Sequence, residues 1–174
     1  MKCFEQFLTE QNDMTAYEVF NIIYTTLSYI EEAPYSAKKT PPEFEDYIKK
    51  LSKLVQTDNP YMTELERKKI EFAIHDDLFE KGPWYDDKEI KEYNQEIHDL
   101  MYDIFQKLLK IDDVRKEIIK QHPDSVQQFK DPPLSKELQL FALSLDPSVI
   151  KYIKDLEVLD KYKHLKQAQK FGLF

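Results

Sequence analysis

Any chemistry in this chain has to start from four histidines, a single cysteine and two dense clusters of carboxylates. Glu71 and His75 stand four residues apart, the spacing that puts two side chains on one helix face, and Asp76 and Asp77 follow directly. Glu92, Glu96 and Asp99 surround His98 in a second cluster. Two such helices facing each other could build a carboxylate–histidine di-metal centre, but that centre draws on a Glu-x-x-His pair from each of two helices and one further Glu from each of two others. Glu71-x-x-x-His75 has the wrong spacing, and Glu96 and His98, two apart, fall on different faces. The sequence therefore points to no metal and no cofactor. A metal-dependent hydrolase on Glu71, His75 and His98 is the one concrete enzymatic alternative.

The remaining candidates are no stronger. His122 precedes Pro123 at a turn, and His164 lies among lysines, so both read as local surface. Cys3 as a nucleophile would need a neighbouring base and an electropositive setting, and nothing around it supplies them. Two glycines in 174 residues leave little material for phosphate-cradling loops or tight hairpins. No nucleophile elbow, Walker loop, zincin motif or dinucleotide fingerprint is present. The reading is a protein that is not an enzyme.

The bulk numbers bound the class. Hydrophobic residues make up 41% and charged residues 33% of the chain, the balance of a folded protein. A net charge of −8 works against direct binding of nucleic acid or anionic membranes. No run reaches the length of apolar sequence that a membrane span needs.

The elements that would position these residues are helices. Thr15-Ala-Tyr-Glu18 is a capping box that opens a helix through Tyr17, Phe20, Ile23, Tyr24, Leu27 and Ile30, with Pro34 marking its stop. Pro41 and Pro42 open another, carrying Phe44, Tyr47, Ile48, Leu51, Leu54 and Val55 up to the turn at Asp58-Asn59-Pro60. A second box, Thr63 with Glu66, starts a helix through Leu65, Ile70, Ala73, Ile74 and Leu78 that Gly82-Pro83 breaks. Asp86-Asp-Lys-Glu89 caps the longest helix, which runs through Ile97, Met101, Ile104, Phe105 and Leu108. Four helices with short connections predict an all-α fold whose residues 14–111 form an antiparallel helical bundle.

Residues 112–174 read as short stacked helix–turn–helix repeats. Placing Pro123 on Pro147, an offset of 24, also brings Val114 onto Leu138, Ile119 onto Leu143, Val126 onto Ile150, Phe129 onto Ile153 and Lys130-Asp131 onto Lys154-Asp155. Continuing the offset puts Leu134 on Val158, Leu138 on Tyr162 and Phe141 on Leu165. Chance alignment of two amphipathic hairpins is the alternative. Such units bury their apolar faces on neighbours, so the segment is expected to pack on the bundle in one compact unit. The stretch from Leu138 through Pro147 to Ile153 resembles the helical repeats with Asn/Asp-Pro turns of uncharacterised phage and large-virus proteins, which implies architecture rather than chemistry.

Two features bear on partners. Residues 76–103 hold ten carboxylates and the only tryptophan, in Pro83-Trp84-Tyr85. A solvated helix face is one meaning of such a run; a partner surface is the other. On the second reading Trp84 and Tyr85, ringed by Asp86, Asp87 and Glu89, would anchor on a basic groove of a protein that handles nucleic acid. The basic end of the chain, with Lys161, Lys163, Lys166 and Lys170, contrasts with it.

The other feature is Met1-Lys-Cys-Phe-Glu-Gln-Phe-Leu-Thr-Glu10, an amphipathic segment with Phe4, Phe7 and Leu8 on one side. It resembles the capsid-targeting leader of internal head proteins from T4-like bacteriophages. Leu8-Thr9-Glu10 is similar to the apolar-x-Glu site at which their prohead protease cuts. The resemblance implies a leader over residues 1–10, trimming after Glu10, and delivery with the DNA from the virion interior into the host cytoplasm. An ordinary first helix is the alternative. Together these readings give a bacteriophage protein that binds and inhibits a host defence protein, or else a structural component of the phage head core.

Overall fold

The structure, a computed structural model, describes residues 14–32, 42–75 and 88–171. Within them it is all-α, and its only β feature is an isolated bridge between Lys130 and Pro133. The chain divides into two compact units, Met1–Leu108 and Leu109–Phe174.

The first unit holds α1 (Ala16–Glu32), α2 (Pro42–Gln56), α3 (Glu64–His75) and α4 (Lys88–Leu108). Both capping boxes form. The Thr15 amide donates to the Glu18 carboxylate at 2.8 Å, and the Glu18 amide donates back to Thr15 Oγ1 at 3.2 Å. Thr63 and Glu66 repeat the exchange at 2.7 and 3.2 Å, so first-turn amides that lack a helical acceptor are satisfied at both starts. Pro42 stands first in α2, where its missing N–H costs nothing.

α1 packs on α2 and α4, α2 packs on α3, and α3 packs on α4, which closes a ring of four helices. Val19, Ile23, Leu51, Leu54, Ile70, Met101 and Ile104 are fully buried inside it. Two ion pairs give the sense of α3 against α4. Glu66 near the start of α3 meets Lys107 near the end of α4 at 2.6 Å, and Lys69, one turn on, meets Glu96 far back along α4 at 2.5 Å. These two helices run antiparallel.

The second unit builds the repeat. α5 (Asp112–Gln121) is followed by a 3-10 helix over Pro123–Gln127, and α6 (Lys136–Leu145) by one over Pro147–Tyr152; α7 (Leu156–Lys170) closes the unit. Both ends of α5 fall on the ends of α6 at the offset of 24. His122 and Asp146 take nearly the same backbone angles (φ −136°, ψ 81° and φ −139°, ψ 104°), and each donates its amide to the carbonyl four residues back. Proline then opens a 3-10 segment rather than an α-helix. With only five or six residues available, the tighter i→i+3 pattern closes each turn before the chain reverses.

The register departs from expectation in two places. Val126 is buried, but its alignment partner Ile150 is 41% exposed, whereas the preceding pair, Ser125 and Val149, is buried in both copies. The continued offset also fails to set the start of α7. Asp155 caps α7 by accepting from the Glu157 and Val158 amides, so the helix starts four residues before the offset from α6 would place it. Leu134, Leu138, Val158 and Tyr162 are nevertheless all core residues, and Leu165 at 40% exposure marks where the correspondence ends.

Candidate protein-binding surface

Arginine is used only twice in the chain, and both copies are structural clamps. Arg67 on α3 donates to the Thr57 carbonyl and to Asp58, both at 2.8 Å, and so fixes the turn that leads out of α2. Asn59 completes that turn, accepting from the Tyr61 and Met62 amides and donating to the Leu54 and Thr57 carbonyls. A cleft of about 210 Å³ lies beside it, lined by Met14, Leu54, Asn59 and Tyr61 among others. Arg115 on α5 is 3% exposed and donates to the Leu109 carbonyl at 2.6 Å and to the Pro132 carbonyl at 3.0 Å, with its guanidinium over the Phe129 ring. A buried guanidinium needs such acceptors, since an unsolvated charge is costly. Neither residue stands out in the sequence. The only signal is that Arg115 interrupts an otherwise apolar helix face directly after Val114.

The histidine-centred candidates do not converge. Glu71 and His75 are exposed on α3, while His98 is half-buried on α4 with Nδ1 3.5 Å from the Asp99 carboxylate. Lys69 engages Glu96, so an ammonium bridges the helices there. Among the described residues no group of three His, Cys, Asp or Glu side chains is placed to hold a metal ion. His122 forms the α5 junction through its backbone, and His164 lies 3.4 Å from Asp160 on exposed surface.

Trp84, Tyr85, Asp86, Asp87 and the Glu89 side chain lie outside the described residues, as do Phe4, Phe7, Leu8 and Glu10. Further along α4 the acidic character continues on solvent. Glu92, Glu96, Asp99 and Asp103 are all exposed, spaced four, three and four residues apart, and therefore form one ridge.

Comparison with protein-family models, curated proteins and solved structures gives no match. No described helix is long and apolar enough to cross a membrane.

Beside the acidic ridge runs a ladder of aromatic rings. Tyr17 stacks near Phe20 at 6.1 Å between centroids, Phe20 on Phe105 at 5.3 Å, Tyr24 on Phe105 at 5.9 Å, and Tyr102 tilts against Phe105 at 6.0 Å. Its inner end is core, with Phe20 7% exposed, while Tyr24 and Tyr102 are 50% and 46% exposed. The spacing of Tyr24 with Phe20 and Leu27 predicts a core position, as does that of Leu65 with its neighbours on α3. Instead Tyr24 reaches solvent along the stack, and Leu65 is 67% exposed because α3 buries only Ile70 and Ala73.

Charge divides along with the fold. Of 33 acidic and 25 basic residues, 23 and 13 belong to residues 1–108, a net −10; the other 10 and 12 belong to residues 109–174, a net +2. The first unit is strongly anionic; α4 itself holds five acidic and three basic residues, and Glu92, Glu96, Asp99 and Asp103 among them are exposed.

Proposed function

We propose that this chain is a non-enzymatic bacteriophage protein that binds a host protein and blocks it, acting in the host cytoplasm on a defence enzyme that handles nucleic acid through a basic groove. The observation that carries the reading is the solvent-facing carboxylate ridge of α4 next to half-exposed tyrosines, on a unit, residues 1–108, whose net charge is −10. A rigid helix bearing regularly spaced carboxylates and large rings is complementary to a groove shaped for a polyanion. The chain's own negative balance speaks for a protein partner rather than nucleic acid itself. The likeness of residues 1–10 to a capsid-targeting leader supports the phage assignment and delivery from the virion.

The test is affinity capture with the tagged full chain from bacterial host cells, followed by a nucleic-acid cleavage or binding assay on whatever is retained. The reading expects one nucleic-acid-handling protein, held in a salt-sensitive way and inhibited by stoichiometric addition of the chain. A retained protein whose activity is unchanged at saturation sinks it. The leader likeness also favours a second reading, a component of the head core. Mass spectrometry of virions separates the two: a mature N-terminus at Gln11 in every particle at structural copy number favours the core.

A further inference from the structure

We infer that the α1/α4 aromatic ladder with its adjoining carboxylates is the docking face, and that it takes an arginine-presenting segment of the partner protein. The inference rests on the protein-binding reading and adds which residues and which chemistry make the contact. On α4, Asp99, Tyr102, Asp103 and Gln106 stand at i, i+3, i+4 and i+7, so they line one side of the helix, with Asp99 one turn from both Tyr102 and Asp103. Tyr24 on α1 extends the patch through Phe105. A guanidinium laid on the Tyr102 ring would have Asp99, one turn back on the same helix, as the acceptor for its N–H fork. A ring face and a planar acceptor together are the two things that distinguish arginine from lysine recognition.

Among the described residues this patch has no cation of its own. Five rings among the described residues are covered internally: Tyr47, Phe129, Phe141, Tyr152 and Tyr162 each have a Lys or Arg charge 4.8 to 5.7 Å from the centroid. No cation of the described residues covers Tyr24 or Tyr102, although both are about half exposed. Asp103 likewise has no partner among the described residues, while Asp99 takes a hydrogen bond from Gln95 at 2.8 Å. The charge complementarity is therefore local. It is not merely the acidity of the whole unit.

The experiment uses the full chain, a short arginine-rich peptide, and the same peptide with lysine or citrulline in place of arginine. Aromatic resonances of Tyr24, Tyr102 and Phe105 should shift on adding the arginine peptide, the lysine peptide should bind more weakly, and the citrulline peptide should not bind. Tyr102→Ala and Asp103→Lys, both on exposed surface, should each weaken binding about fivefold without moving the thermal midpoint. Peptide binding that is indifferent to Tyr24→Ala, Tyr102→Ala and Asp103→Lys overturns the inference. So does sedimentation showing that Tyr102→Ala breaks up a self-associated form, which would make a second copy the occupant. A captured host protein that binds Tyr102→Ala as tightly as the parent also overturns it while leaving the protein-binding reading intact. Peptide seated on the ladder with no host protein captured supports the site and removes the proposed function.

Discussion

Ser125 and Val149 occupy the same place in the two copies of the C-terminal repeat, each the third residue of its 3-10 segment. Each donates its amide to the carbonyl before the proline, at 2.9 and 3.2 Å respectively. Val149 is fully buried, and Ser125 is 5% exposed with a buried Oγ that has no hydrogen-bond partner among the described residues. One copy thus carries a polar atom where the other carries only methyl groups. An unpaired buried hydroxyl costs about 1–3 kcal/mol. Ser125→Ala should therefore raise stability by about 1 kcal/mol, read as a higher urea midpoint at unchanged slope. A lower midpoint would mean that the hydroxyl is satisfied in solution.

Arg115 should tolerate no replacement. Its loss leaves the Leu109 and Pro132 carbonyls without their side-chain donor and opens space beside Phe129. Arg115→Met should destabilise the second unit by about 3 kcal/mol, and Arg115→Lys by nearly as much, because one ammonium cannot span both carbonyls as the planar fork does. Hydrogen exchange of the α5 and α6 amides is the readout. Exchange unchanged in both variants would show that the clamp contributes nothing.

Glu66 predicts a particular acid sensitivity. Burial pushes its carboxyl up, but hydrogen bonds from the Lys107 ammonium and from Thr63 outweigh this and leave it below the ordinary 4.5. A carboxyl depressed by folding stabilises fully above its unfolded value, and that contribution is lost as pH falls through the folded value. Unfolding free energy should therefore fall with pH below about 4.5, and Glu66→Gln should flatten that slope. Identical pH profiles for parent and variant would refute the assignment.

Asp155 is the capping residue of α7, with its carboxylate accepting from the Glu157 and Val158 amides at 3.0 and 3.2 Å. Asp155→Ala should cost about 1 kcal/mol, and Asp155→Ser should restore most of it. Should the serine variant fare no better than alanine, the early start of α7 has another cause.

The helix starts could be read because their causes are local: Thr15 with Glu18 and Thr63 with Glu66 state the cap within four residues. The offset of 24 was legible for the same reason, since Pro123 and Pro147 fix where each helix must stop. The exposure of Ile150 was not, because Val149 and Ile150 are both apolar and only packing decides which turns inward. The candidate surface was half legible. The carboxylates at Glu92, Glu96, Asp99 and Asp103 are visible as a periodic ridge, whereas Tyr102 sits off the apolar stripe of its own helix. The ladder it joins depends on α1 reaching α4 across two intervening helices.

That same closure has a consequence in time. In the second unit α5 packs on its own 3-10 turn and on α6, and α6 packs on its own turn and on α7, so most of its helix contacts join neighbours in sequence. In the first unit the ring is complete only when α1 meets α4, the most distant pair it contains. Low contact order speeds folding, and long loops must be closed before distant contacts reward them. The repeat can therefore assemble from contacts between neighbours in sequence. The aromatic ladder, built from both ends of the ring, exists only once that closure is made.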